Sequence, residues 1–259
     1  MRLNLTFKTE IGSILPINYT YALSSFVYKT LQQANEEYSE WLHNRGYQLG
    51  NKQFKLFTFS ELKLPKYQRY EDRFILQGDT VNLIISFYAD EAMKNFVTGL
   101  FEQQTFFIRD TKSRTDFKVE FVEIQSEPIF KEKMRFRTLS PICITQHVAG
   151  RKHASYLSPT DDNYGDLFFK NLLNKYQAAK PDAPNFNFDE LSFRLLSKQP
   201  KSRLIHIKGF SKDATKVRGY SYDLEVTAPA ALLAFSFAAG FGEKNSSGFG
   251  CVKVIDRIK

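Results

Sequence analysis

The sequence predicts an α+β chain in which one strand–helix–strand–strand–helix–strand order runs twice, closed by a glycine-rich loop. Three observations carry this. Alternating segments and segments with a helical apolar stripe follow one another in the same order in both halves. A charged stretch, residues 127–133, separates the halves. The end of the second half holds Gly240-Phe241-Gly242-Glu243-Lys244-Asn245-Ser246-Ser247-Gly248-Phe249-Gly250, two Gly-Phe-Gly triplets around a polar stretch.

Residues 3–8 alternate polar and apolar and read as the first strand. Residues 21–33 set Leu23, Val27 and Leu31 on one stripe and read as the first helix. Residues 54–62 are strand-like. Residues 73–76 and 81–88 are expected to pair around Gly78-Asp79, a two-residue hairpin signal. Asp90 is expected to cap a helix carrying Met93, Val97, Leu100 and Phe101. Residues 117–125 complete the half. In the second half, residues 135–146 read as one strand. Residues 163–176 read as a helix with Leu167, Phe168, Leu172 and Leu173 inside. Residues 191–197 and 203–210 begin an extended region, with 217–227 as its partner. Pro229 is expected in the first turn of a helix ending at Ala239, a permitted place for proline. Residues 249–258 are the last strand. Split β-α-β units of this kind define the ferredoxin-like fold, an antiparallel sheet covered by two helices. The predicted organisation is therefore two tandem ferredoxin-like (βαββαβ) domains, residues 1–127 and 128–259.

Composition narrows the function classes. The 259 residues are 42% hydrophobic and 25% charged, an ordinary soluble balance. The net charge of +8 favours an anionic partner, nucleic acid or a membrane surface. No apolar run approaches the ~18–20 residues of a spanning helix, and the alternating N-terminus reads as a strand rather than a signal peptide. Cys143 and Cys251 stand among apolar neighbours and read as buried thiols, not a disulfide. That pattern fits a reducing compartment, the cytoplasm. No Cys/His cluster has zinc spacing, so neither metal nor cofactor is expected.

The glycine-rich loop offers backbone amides, hydroxyls and a cation to phosphate oxygens, through Gly240, Gly242, Lys244, Asn245, Ser246, Ser247, Gly248 and Gly250. The plain alternative is a long turn with glycines only for geometry. A mononucleotide loop is disfavoured, because the Gly-Lys-Ser/Thr ending is missing and the loop enters a strand. Between residues 198 and 218 there are seven Lys/Arg residues and one acid, Asp213. Lys208, Lys216 and Arg218 are thus candidates for a phosphate track, as is Arg137 in a smaller cluster with Lys131, Lys133 and Arg135. A lysine-solubilised hairpin would look the same. Among the four histidines, His43 follows a short helical segment, residues 35–42, and precedes Gly46, a natural helix stop. A helix C-terminus favours imidazolium, which suits a general acid, with an acceptor role also open. His147 and His153 flank Arg151-Lys152 in a basic loop that suits RNA, and His206 alternates within a strand.

Residues 239–254, with the glycine triplets, resemble the C-terminal signature of the CRISPR-associated endoribonucleases that cut precursor CRISPR RNA within its repeats. Thr138-Leu139-Ser140-Pro141-Ile142 is similar to the strand opening that family's second domain. Trp41-Leu42-His43 and residues 54–60 resemble its N-terminal half. The resemblance covers the whole chain and implies two tandem ferredoxin-like domains. It also implies metal-independent cleavage, in which the ribose 2′-hydroxyl attacks the adjacent phosphate and leaves a 2′,3′-cyclic phosphate and a 5′-hydroxyl. It places the family's catalytic histidine at His43, its tyrosine at Tyr28 and its lysine at Lys55, with Lys52 as the alternative. The loop around Lys52 departs in length from the family arrangement. The implied partners are CRISPR repeat RNA and effector complex subunits, with the protein a monomer or homodimer off the membrane. Some family members bind RNA without cutting it, so a non-catalytic scaffold is the competing reading.

Overall fold

The computed structural model describes residues 1–147, 150, 154–183, 186–207 and 214–256. The first half is built on an antiparallel five-stranded sheet. Its strands are β1 (Arg2–Lys8), β2 (Phe57–Phe59), β3 (Thr80–Phe87), β4 (Thr105–Arg109) and β5 (Arg114–Ile124), in the order β2-β3-β1-β5-β4. Alternation in β1 puts Leu3, Leu5 and Phe7 into the core. Helices α1 (Thr20–Ala34) and α3 (Asp90–Glu102) cover that side. The expected α1 stripe of Leu23, Val27 and Leu31 is fully buried. The two helices approach closely at Gly99, where a Cβ would lie 1.9 Å from the Thr30 carbonyl oxygen.

The second half repeats the arrangement. Its sheet joins β6 (Lys133–Thr138), β7 (Ser192–Leu195), β10 (Asp223–Thr227) and β11 (Val252–Val254) in the order β7-β10-β6-β11. Setting the β4 edge aside, both sheets run second, third, first, fourth along the chain. Helices α4 (Tyr164–Ala179) and α5 (Ala230–Ala239) supply Phe168, Leu172, Leu232 and Leu233 to its core. Outside this sheet, β8 (Lys201–Ile207) and β9 (Thr215–Ser221) form a separate hairpin. No helix among the described residues is long and apolar enough to cross a membrane.

Several expected elements differ. Residues 73–76 and 81–88 do not pair around Gly78-Asp79. Arg73–Leu76 joins Ile14–Pro16 and Tyr67–Tyr70, while β3 pairs with β1 and β2. Buried Arg73 draws its strand to Asp110, 2.6 Å away, and Asp79 instead binds Lys8 at 2.9 Å. Asp90 is not the cap: Ala89 holds that position, and Asp90 lies in the first turn, where a carboxylate suits the helix dipole. Phe101 is 69% exposed, and Phe96 takes the core position. Residues 54–62 are broken at Leu56, whose φ of 51° ends the strand character. Residues 135–146 split likewise. β6 stops at Thr138, and Thr145–Gln146 pairs with Ser155–Tyr156. Residues 217–227 divide at buried Tyr222, whose hydroxyl lies 2.5 Å from that of Tyr164. Pro229 is the N-cap of α5, one residue before the helix. The last strand is short, because Gly250 and Cys251 still belong to the loop; Ile258 lies outside the described residues. Both cysteines are buried free thiols, and burial pushes Cys143 upward.

The halves are interlocked. Arg2 reaches from β1 to the carbonyls of Val252 (2.7 Å) and Phe237 (3.0 Å), its guanidinium 3.6 Å above the Phe237 ring. Arg203 of β8 meets Glu61, and Asn18 bonds both backbone groups of His206, at 2.8 and 3.1 Å. Leu56 inserts into the second half's core, with Tyr47 and Phe54 beside it. The glycine-rich loop lies in this crease.

Candidate functional site in the crease between the halves

Three local structures bring the site together. Helix α2 (Glu36–Asn44) starts at Asn35, whose side chain accepts from the Tyr38 amide at 2.9 Å. It stops at Gly46, whose φ is 60° and whose missing Cβ would lie 2.5 Å from the Phe54 carbonyl. A side chain there would push the Lys52–Phe54 strand off the end of α2. His43 therefore stands exposed in the last helical turn, next to the segment that carries Lys55. The Lys55 ammonium donates to the His43 carbonyl at 2.7 Å, a cation on an otherwise orphaned helix-end acceptor. Half-burial pushes this amine downward from its ordinary value.

Tyr28 comes from α1, just off its buried stripe. Its ring meets the His43 ring edge-on, with centroids 5.0 Å apart and planes at 83°. Burial pushes the Tyr28 hydroxyl up to about 12, and the neighbouring Ser246 side chain pulls it back in part. The hydroxyl is thus a proton donor throughout the neutral range. His43 Nδ1 lies 3.1 Å from Asn44 Oδ1. Tyr28 thus lies against the His43 ring, and Lys55 on the His43 backbone carbonyl. Lys52, the alternative, is exposed in the short strand beyond the turn at Gly50 and pairs across it with Leu49.

The glycine-rich loop forms the opposite wall, and most of it faces inward. Gly240, Gly242, Gly248 and Gly250 are buried, and so is Asn245. At Gly248, φ is +87° and a Cβ would fall 2.1 Å from Thr20 Cγ2 and 2.8 Å from the Phe59 ring. At Gly250 it would fall 1.9 Å from the Phe241 carbonyl oxygen. These glycines let the loop press on the protein itself, which corrects the expectation of amides open to a ligand. Asn245, expected as a phosphate donor, gives its amide hydrogens to the carbonyls of Phe241 and Phe249, each at 3.0 Å. Ser246 accepts from the Ser24 hydroxyl at 2.7 Å through its carbonyl. Ser246 and Ser247 keep part of their surface, and Lys244 is exposed.

Sequence reasoning missed Lys175. Its ammonium, buried in α4, donates to the carbonyls of Gly240 and Gly242 and to Asn245 Oδ1. Burial pushes it down to about 7, against a pull from Glu243. The legible signal was a lysine three residues after Leu172, on the apolar stripe of a helix.

The basic residues divide into two groups. Lys216 and Arg218 stand on the exposed face of the β8–β9 hairpin, where Arg218 donates to the Ser202 hydroxyl at 3.0 Å. Lys208 lies outside the described residues, as do Arg151, Lys152 and His153. Arg137 is not a free cation: both arms of its fork meet Asp223, at 2.7 Å each. Lys133, Arg135 and Arg194 likewise surround Glu225. The acids come from the neighbouring strand, so the sequence cluster looked barer than it is. His147 is exposed, and His206 is exposed with its backbone held by Asn18. Among the described residues no group of three or more His, Cys, Asp or Glu side chains is placed to hold a metal.

Fold and site together define a mixed α/β protein built on two main antiparallel sheets, with Tyr28, His43 and Lys55 beside a glycine-rich loop. The profile of CRISPR associated protein Cas6, C-terminal, matches residues 124–254, and that of CRISPR-associated protein Cas6, N-terminal, matches residues 14–122. The chain belongs to the Cas6 family of CRISPR-associated proteins. It is 32% identical over 257 residues to CRISPR-associated endoribonuclease Cas6 1 of Methanocaldococcus jannaschii, covering 97% of this chain and 92% of that one. It is 28% identical to CRISPR-associated endoribonuclease Cas6 of Pyrococcus furiosus, covering 93% and 83%. A solved structure described as CRISPR associated protein Cas6 superposes with a TM-score of 0.77 at 28% identity, over 99% of each chain. The product of a Cas6-related gene from Pyrococcus furiosus shares the fold, with a TM-score of 0.83 at 24% identity, over 100% of this chain and 99% of that one.

Proposed function

We propose that this chain is a metal-independent endoribonuclease that cuts precursor CRISPR RNA within its repeats. The observation that supports the reading is the Tyr28 ring set edge-on against the His43 ring, with the Lys55 ammonium on the His43 carbonyl. The substrate's own 2′-hydroxyl is the nucleophile, so the protein needs only to move protons and balance charge. The 2′-hydroxyl gives its proton to solvent water as it attacks, and exposed His43, at the C-terminus of α2, donates as imidazolium to the leaving 5′-oxygen. Tyr28, kept protonated by burial, donates to a phosphate oxygen. Lys55 places positive charge where the phosphorane develops. The products are a 2′,3′-cyclic phosphate and a 5′-hydroxyl. Two tandem ferredoxin-like domains, residues 1–127 and 128–259, hold the site between them, and the repeated strand order supports that division. The relatives named as endoribonucleases support the same activity.

Incubation with repeat RNA in EDTA, followed by end mapping, tests this. Cleavage should persist and leave a cyclic phosphate. An RNA carrying 2′-deoxyribose before the cut should bind and stay whole. Its cleavage, or a strict need for magnesium, would sink the mechanism; tight binding of cleavable RNA with no cutting would favour the scaffold reading.

Lys216, Arg218 and Lys244 are exposed and would track the RNA backbone. Changing any of them to Ala should lower affinity alike for different RNAs and flatten the slope of log affinity against log salt by roughly 0.7–0.9. Unchanged affinity and slope would remove that residue from the interface.

A further inference from the structure

Helix α4 places a lysine where its apolar stripe leads one to expect a hydrophobe. Phe168 and Leu172 occupy the same stripe fully buried, and Lys175 keeps 2% of its surface. A buried ammonium is costly unless partners replace its water. Here all three hydrogen-bonded partners belong to one segment: the carbonyls of Gly240 and Gly242, the latter at 2.9 Å, and Asn245 Oδ1 at 3.0 Å. Three oxygens match the three N–H donors of an ammonium. The hold passes onward. Asn245 ties the carbonyls of Phe241 and Phe249 together, closing both arms of the loop. The next residue, Ser246, takes the Ser24 hydroxyl on its carbonyl and faces the Tyr28 hydroxyl with its side chain.

Stability alone is a weak reason for this arrangement. A well-packed apolar residue often serves a buried site as well as a charge does, and what a satisfied polar network adds is one defined geometry. A loop with four glycines among its eleven residues, 240–250, needs that geometry imposed from outside.

We propose that Lys175 is a positioning residue for RNA cleavage: it sets the glycine-rich loop, through Asn245, so that Ser246 meets Tyr28. This rests on the endoribonuclease reading above. Lys175→Met keeps the volume and removes the donors; Lys175→Gln restores some of them on a shorter stem. Two measurements on the full chain test the role. Without RNA, amide hydrogen exchange in peptides spanning residues 240–250 should quicken in Lys175→Met, while β6 and β10 stay protected. With repeat RNA under single turnover at saturating protein, Lys175→Met should be slower by roughly 10–100-fold, as displacement of a site by about 1 Å can cost. Affinity for the 2′-deoxy repeat should change by less than about threefold, and Lys175→Gln should recover part of the rate. In a Tyr28→Phe background, Lys175→Met should add less than about twofold, because both changes break one relay. A merely structural role would give effects that multiply.

Should Lys175→Met fail to unfold cooperatively, Lys175→Gln and Asn245→Ala take its place in the same cycle. Multiplying effects, or a loop whose exchange does not change, overturn the role of Lys175. A wild type that cuts beside a folded Lys175→Met that cuts equally fast overturns it too, and leaves the function standing. A wild type that leaves repeat RNA intact overturns the endoribonuclease reading itself.

Discussion

His43→Ala should slow single-turnover cleavage of repeat RNA by ~10²–10⁴, the usual worth of one proton-transfer group. The ring stands exposed at the end of α2, edge-on to Tyr28, with its own carbonyl held by Lys55. Removing it deletes no core contact, so the unfolding midpoint should hold. Affinity for the 2′-deoxy repeat should hold as well, since phosphate binding rests on lysine and arginine. The effect belongs in the rate of the chemical step alone. An alanine variant that cuts at the wild-type rate would move the proton-transfer role elsewhere. One that cuts slowly because it has also lost its RNA would make His43 a binding residue.

Gly248→Val should be among the most damaging single changes in the loop, and the one that strikes its contact with the first half. Two costs add. A β-branched residue at a φ of +87° is strained by roughly 1–2 kcal/mol. Its Cβ would also lie 2.1 Å from Thr20 and 2.8 Å from the Phe59 ring, and overpacking costs roughly 1–3 kcal/mol. For a chain of this size, that sum corresponds to a fall in the unfolding midpoint of roughly 5–15 °C. Gly78→Val is the control, because nothing lies within 4 Å of a Cβ built there. The contacts Gly248 would break join the loop to α1 and β2, so RNA binding in the crease should weaken with stability. Equal midpoints for the two variants would mean that the loop does not press on the first half as described.

Much of this protein follows from local patterning. Alternation at Leu3, Leu5 and Phe7 and the stripe at Leu23, Val27 and Leu31 state which faces are buried, because side-chain direction is set by backbone period. The same reasoning yields the twofold strand–helix order, the buried thiols and the place of His43 before a glycine stop. Partner choice is another matter. The segment at residues 73–76 has the pattern of a strand, but a period says nothing about which neighbour it takes. Buried Arg73 meeting Asp110 helps decide that. Leu56 looks like one more strand residue, yet its φ of 51° turns it into the other half's core. Arg137 reads as a free cation until Asp223, 86 positions away, covers it. The glycine-rich loop shows the divide most plainly. Its residue types announce close approach, because glycine alone leaves room for it. What approaches is Thr20, Phe59 and the buried ammonium of Lys175, and such contacts between distant positions exist only once the chain has folded.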